Sequence, residues 1–152
     1  MTLRVYTKRL LRYSPPVPDE LDITRGSGRE GLFLAPSPRL FADARVKLRA
    51  ADQVGRMGSA AAREQAALLR LDAWRWYEPL YLAEMVESQR LYASAWKQLL
   101  QRPRVVLACY CEDAEHCHRW LLRTQVLPAL GAIDRGELRV DGPEPRQRSL
   151  PW

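Results

Sequence analysis

Apolar and polar positions alternate along Leu3-Arg-Val-Tyr-Thr-Lys8, the two-residue period of a half-buried strand. The connection Tyr13-Ser-Pro-Pro-Val-Pro-Asp19 is too dense in proline to be helical. A second short strand is predicted at Leu21-Asp-Ile-Thr24, followed by two irregular stretches, Arg25 to Gly31 and Leu32 to Pro38. The pattern then turns helical from Arg39 to about Ala51, ending before Gly55 and Gly58. Ser59 can cap a long helix over Ala60 to Tyr77, rich in strong helix formers. Pro79 predicts a fresh start, with a second long helix from Leu80 to Gln101. In it Leu82, Met85, Val86, Tyr92, Trp96, Leu99 and Leu100 follow helical spacing and predict one buried stripe.

Arg104-Val-Val-Leu-Ala108 is a continuous apolar run, predicted to continue as a buried strand through Cys111. A helix should run from about Cys117 to Leu130, closed by Gly131 and bent or shortened by Pro128. Glu137-Leu-Arg-Val-Asp141 predicts a last short strand, and the Pro/Arg-rich residues 143–152 an extended or mobile tail. The sum is one α/β domain over residues 1–142. It is expected to be a small three-layer domain with a short, mostly parallel sheet and a large helical insertion in the middle.

Composition changes this picture little. A hydrophobic content of 47% and a charged content of 28% are ordinary for a globular protein. No run approaches a membrane span, and the N-terminus lacks the apolar stretch of a signal peptide, so a reducing cytoplasm and no membrane partner are expected. The net charge of +6 points toward phosphate-bearing partners, nucleotides or nucleic acid. Yet all basic residues except Lys8, Lys47 and Lys97 are arginines scattered among 18 acids, as a solvated surface would also have.

Candidate chemistry is concentrated in one place. All three cysteines and both histidines fall within Cys109-Tyr-Cys-Glu-Asp-Ala-Glu-His-Cys-His118, with Arg119 next. A strand before it and a helix after it put this cluster at a strand–loop–helix junction, where α/β proteins bind ligands. Cys109, embedded in the apolar run, reads as a small core residue, and His116 in its acidic loop as solvent-exposed. Cys117 at a helix start suits a reactive thiolate, since free N–H groups and the helix dipole lower a thiol pKa. His118 can carry protons near neutral pH, and Arg119 can clamp an anion or pair with a carboxylate such as Glu112.

Cys109, Cys111, Cys117 and His118 are also zinc-ligand types, although the C-x2-C knuckle is absent and the span is crowded. No cofactor is expected otherwise. Gly26-Ser-Gly-Arg-Glu-Gly31 matches G-x-G-x-x-G, but Pro36 and Pro38 prevent the helix that a dinucleotide fingerprint opens. A surface turn offering backbone N–H groups beside Arg25 and Arg29 is the simpler reading. The aromatics Trp74, Trp76, Tyr77, Tyr81, Tyr92 and Trp96, at helical spacing, read as core rather than as base-stacking platforms.

Val105-Val-Leu-Ala-Cys-Tyr-Cys111 followed by Cys117-His-Arg-Trp-Leu-Leu122 resembles the C-terminal signature of domain-of-unknown-function family 488. Leu21-Asp-Ile-Thr-Arg25, Ser27-Gly28, Phe33 and Ala35-Pro-Ser37 look like the N-terminal pattern of some members. The resemblance implies a small three-layer α/β fold with Asp22 and the Cys-His-Arg loop facing one pocket. It brings no established reaction. The alanine- and arginine-rich middle, roughly 39–100, and Pro128 depart from the pattern.

The resulting expectation is an enzyme acting on a phosphate-bearing small molecule, nucleotide or nucleic acid. Cys117 would be the thiolate or anion-pocket residue, His118 the proton carrier and Arg119 the anion clamp. Cys111, Asp22, Arg25 and Glu112 are secondary ligand-binding candidates. The competing expectations are a non-catalytic nucleic-acid-binding module and a zinc-stabilised interaction domain.

Overall fold

The computed structural model describes residues 1–12 and 15–139. The strands are β1 (Arg4–Arg9), β2 (Glu20–Asp22), β3 (Arg104–Cys109) and β4 (Ile133–Leu138). They form one sheet in the order β2-β3-β1-β4, and every pairing is parallel. Val105 through Cys109 are buried without interruption, as the continuous apolar run requires of a strand covered on both faces. Alternation in β1 instead turns Val5 and Thr7 to the face that carries Val105, Leu107 and Cys109 of β3. The core cluster forms on that face.

Between β2 and β3 the chain makes α1 (Pro38–Gly55), α2 (Ala60–Leu91) and α3 (Ala93–Leu100). Ser37 caps α1 by accepting from Leu40 N at 3.1 Å, with Pro38 at the first helical position. Ser59 caps α2 in the same way, accepting from Ala62 N at 3.0 Å. The expected restart at Pro79 does not occur: α2 runs through it for 32 residues. Interior proline costs a helix about 3 kcal/mol. Here Ala73, Trp74 and Tyr77 before it and Tyr81, Met85 and Ser88 after it are all buried along one stripe, and that packing outweighs the local penalty. The chain breaks later, at Tyr92. The predicted stripe is accordingly wrong in part. Met85, Trp96 and Leu99 are buried, whereas Val86, within α2, and Tyr92, at the break itself, are exposed.

After β3 come α4 (His118–Leu121), a π-helical turn (Leu122–Val126) and α5 (Leu127–Ala129) in direct succession. Pro128 enters α5 just after the widened turn, where its missing N–H costs least. Gly131, at φ +96, ends the helical run as expected. The last strand lies earlier than the alternation at 137–141 predicted, at Ile133–Leu138. Its register slips against β1: Val5 faces Asp134 but Thr7 faces Glu137, with Gly136 at φ +88 in the bulge. The extra residue turns Glu137 onto the core face beside Thr7. The tail predicted over 143–152 lies outside the described residues. The fold class is as expected, a small α/β domain with a parallel sheet and a large helical middle.

Candidate active site

The carboxyl ends of β1, β2 and β3 meet the strand–loop–helix junction. The predicted strand over 104–111 ends at Cys109, and Cys109, Cys111 and Cys117 all remain buried as free thiols. Cys109 Sγ lies 3.7 Å from Cys111 Sγ. Cys117 Sγ lies 3.8 Å from His118 Nδ1, and Arg119 Nη1 donates to the same sulfur at 3.6 Å. His118 is fully buried, with Nε2 2.9 Å from the Ile23 carbonyl oxygen. A carbonyl only accepts, so Nε2 carries a proton, and in the neutral imidazole Nδ1 presents its lone pair to Cys117.

Arg119 is 1% exposed. Its Nη1 donates to the Cys111 carbonyl at 2.9 Å, and its Nη2 pairs with Glu137 Oε1 at 3.0 Å. Thr7 Oγ1 donates to the same carboxylate. The partner suggested from sequence, Glu112, instead pairs with Arg9 at 2.9 Å. Burial works against Arg119's charge, but Cys117 and Glu137 outweigh it and hold the guanidinium firmly protonated. The sequence hid this pair because Glu137 reaches the site only through the bulge at Gly136.

Burial opposes ionisation, but the hydrogen-bonding contacts of Cys109 with Cys111 and Cys117, with Arg119 near, hold Cys109 well below the usual thiol range. Burial pushes Cys111 up, and its two thiol neighbours add to that. Cys109 lies in the core cluster, as its place in the apolar run led one to expect. Tyr77 and Tyr81 are raised by burial, and Tyr81 donates to the Leu34 carbonyl at 2.6 Å. Both are core residues, as are Trp74 and Trp96.

Asp22 sits at the end of β2, but its carboxylate is spent on the chain itself. It accepts from Thr24 N at 2.9 Å, Thr24 Oγ1 at 2.7 Å and Ser27 Oγ at 2.6 Å. The glycine motif completes this turn. A Cβ at Gly28 would stand 2.6 Å from the Asp22 and Thr24 carbonyl oxygens, and one at Gly31 2.2 Å from Asp22 O. At Gly26 it would meet nothing within 4 Å. Gly28 and Gly31 are therefore packing requirements of this turn, and a 3-10 turn at Leu32–Leu34 stands where a nucleotide fingerprint would open a helix. Arg25, half-buried, is anchored by Nε on the Pro36 carbonyl at 2.8 Å. His116 is partly exposed, bonding Asp113 Oδ2 at 2.6 Å with its ring edge against Trp74.

A protein-family model, DUF488-N3a, described as the active DUF488-N3 subclade, matches residues 33–129. The chain belongs to this family. The match takes in α1 to α3, β3 and the whole Cys-His-Arg junction, and it ends before Glu137. It also covers the helical middle and Pro128, which the sequence comparison had set apart from the DUF488 pattern. No curated protein and no solved structure matches the chain. Among the described residues no helix is long and apolar enough to cross a membrane.

Proposed function

We propose that this DUF488-N3a member is an enzyme acting on a phosphate-bearing small molecule or nucleotide, with Cys117 as nucleophile. The observation that carries this is Cys117 Sγ set between His118 Nδ1 at 3.8 Å and Arg119 Nη1 at 3.6 Å. That is the nucleophile–base–orienter arrangement of covalent catalysis, with the Ile23 carbonyl as the group that fixes the imidazole. His118 would take the thiol proton and leave Cys117 as the thiolate. Arg119 would stabilise the thiolate rather than clamp substrate, since its donors are already held by Glu137 and Cys111 O.

Phosphate recognition falls to the cations on the rim, Arg25 and Arg9, with the net charge of +6 as a general attraction. Arg9 is paired with Glu112, so an incoming phosphate would compete with that carboxylate. Cys117 and His118 are closed from solvent, so substrate reaches the sulfur only as the Glu112–His116 loop opens. The test is turnover of a panel of mononucleotides, phosphorylated small molecules and oligonucleotides by wild type and Cys117→Ser. Turnover lost in the variant supports the proposal. Equal turnover in both refutes it.

A further inference from the structure

The ligand atoms of Cys109, Cys117 and His118 lie within 4.8 Å of one another, all buried. We propose that these three residues form a site for a thiophilic divalent cation of the zinc class, which locks the Cys117–His118 pair when occupied. A tetrahedral zinc ion, with Zn–S of ~2.3 Å and Zn–N of ~2.0 Å, separates its donors by roughly 3.5–3.8 Å. Cys117 Sγ and His118 Nδ1 already stand 3.8 Å apart. Cys111 Sγ, 3.7 Å from Cys109, is the nearest further thiol for a fourth position.

The surroundings suit such an ion. His118 gives its Nε2–H to the Ile23 carbonyl, the outer bond that orients a metal-binding imidazole and leaves Nδ1 to ligate. Arg119 donates to Cys117 Sγ and offsets the negative charge of several thiolates on one dication. Full burial matches a closed site. On binding, the metal takes the sulfur lone pairs and the Nδ1 lone pair, and each ligating thiol releases its proton to solvent. A crowded ten-residue span is no obstacle, because the chain folds Cys109 back against Cys117.

The locking of the pair rests on the proposed function; the metal site does not. The experiment is a titration of reduced, chelator-stripped full-length protein with Co²⁺ alone. One equivalent should give thiolate-to-cobalt charge transfer in the near ultraviolet with tetrahedral d–d bands, and Zn²⁺ should abolish both. Outer-shell changes already weaken metal sites about 10–100-fold, so Cys109→Ser should lose more than that.

No thiolate–cobalt band at one equivalent, or an unchanged affinity in Cys109→Ser, overturns the site. Should that variant not fold, wild type decides by its melting temperature. A rise with Zn²⁺ that a chelator reverses, together with protection of Cys117 from iodoacetamide, supports the site; neither effect overturns it. If cobalt binds but Cys117 alkylation in the metal-free protein is insensitive to His118→Gln, the metal site stands and the catalytic pair falls.

Discussion

His118 Nε2 stands 2.9 Å from the carbonyl oxygen of Ile23, a residue 95 positions earlier in the chain. This bond ties the β2 turn to the Cys-His-Arg junction and fixes which imidazole nitrogen faces Cys117. His118→Ala leaves that buried carbonyl unpaired, at a cost of about 1–3 kcal/mol. His118→Gln places an amide N–H near the lost Nε2–H and should recover most of it. Urea denaturation of both variants checks this; equal losses would mean that the bond contributes nothing.

The glycines of the β2 turn should sort by space. Gly28→Ala and Gly31→Ala each press a methyl group into the Asp22 backbone, and overpacking of this kind costs about 1–3 kcal/mol. Gly26→Ala should change stability by less than about 0.5 kcal/mol, as an unencumbered surface site does. Thermal denaturation of the three variants gives the ranking.

Glu137→Gln removes the carboxylate from a guanidinium that is 1% exposed. Breaking a buried pair typically costs 3–5 kcal/mol, and with Glu137 28% exposed solvent screening lowers this to about 2–3 kcal/mol. Gly136→Ala, at φ +88, should lose about 1–2 kcal/mol and disturb the same pair through the bulge. Double-mutant denaturation should show the two losses to be less than additive, since both act on Glu137.

Asp113 gives the acid limb of the stability profile. Burial would raise its carboxyl, but the His116 ring and the amides of Glu115 and His116 hold it below the usual value. A depressed carboxyl contributes stability that is complete above the unfolded pKa of about 3.9 and is lost as pH falls through the lower folded value. Asp113→Asn should therefore flatten stability against pH below about 4; an acid limb as steep as that of wild type in urea denaturation would contradict this.

The legible parts of the fold were those set by local pattern. The apolar run at 104–108, the Ser59 helix start and the Gly131 stop all express short-range chemistry, whereas the Ser37 cap lies in a stretch whose prolines read as irregular structure. Pro79 misled because its penalty is local while the Trp74, Tyr77, Tyr81 and Met85 packing that overrides it is tertiary. The site divides in the same way. Clustering in sequence brought Cys117, His118 and Arg119 forward, but their partners Ile23 and Glu137 arrive from β-strand register and a bulge. Gly136 beside Glu137 was the one available sign of it.

The central claim is that His118 Nδ1 activates the Cys117 thiol. Its most direct test is the rate of iodoacetamide alkylation at each cysteine, resolved by mass spectrometry, in metal-free wild type and His118→Gln. The account predicts that alkylation of Cys117 is slowed about 100-fold or more when the base is removed, with Cys109 and Cys111 much less affected. A Cys117 rate that His118→Gln leaves unchanged would contradict it.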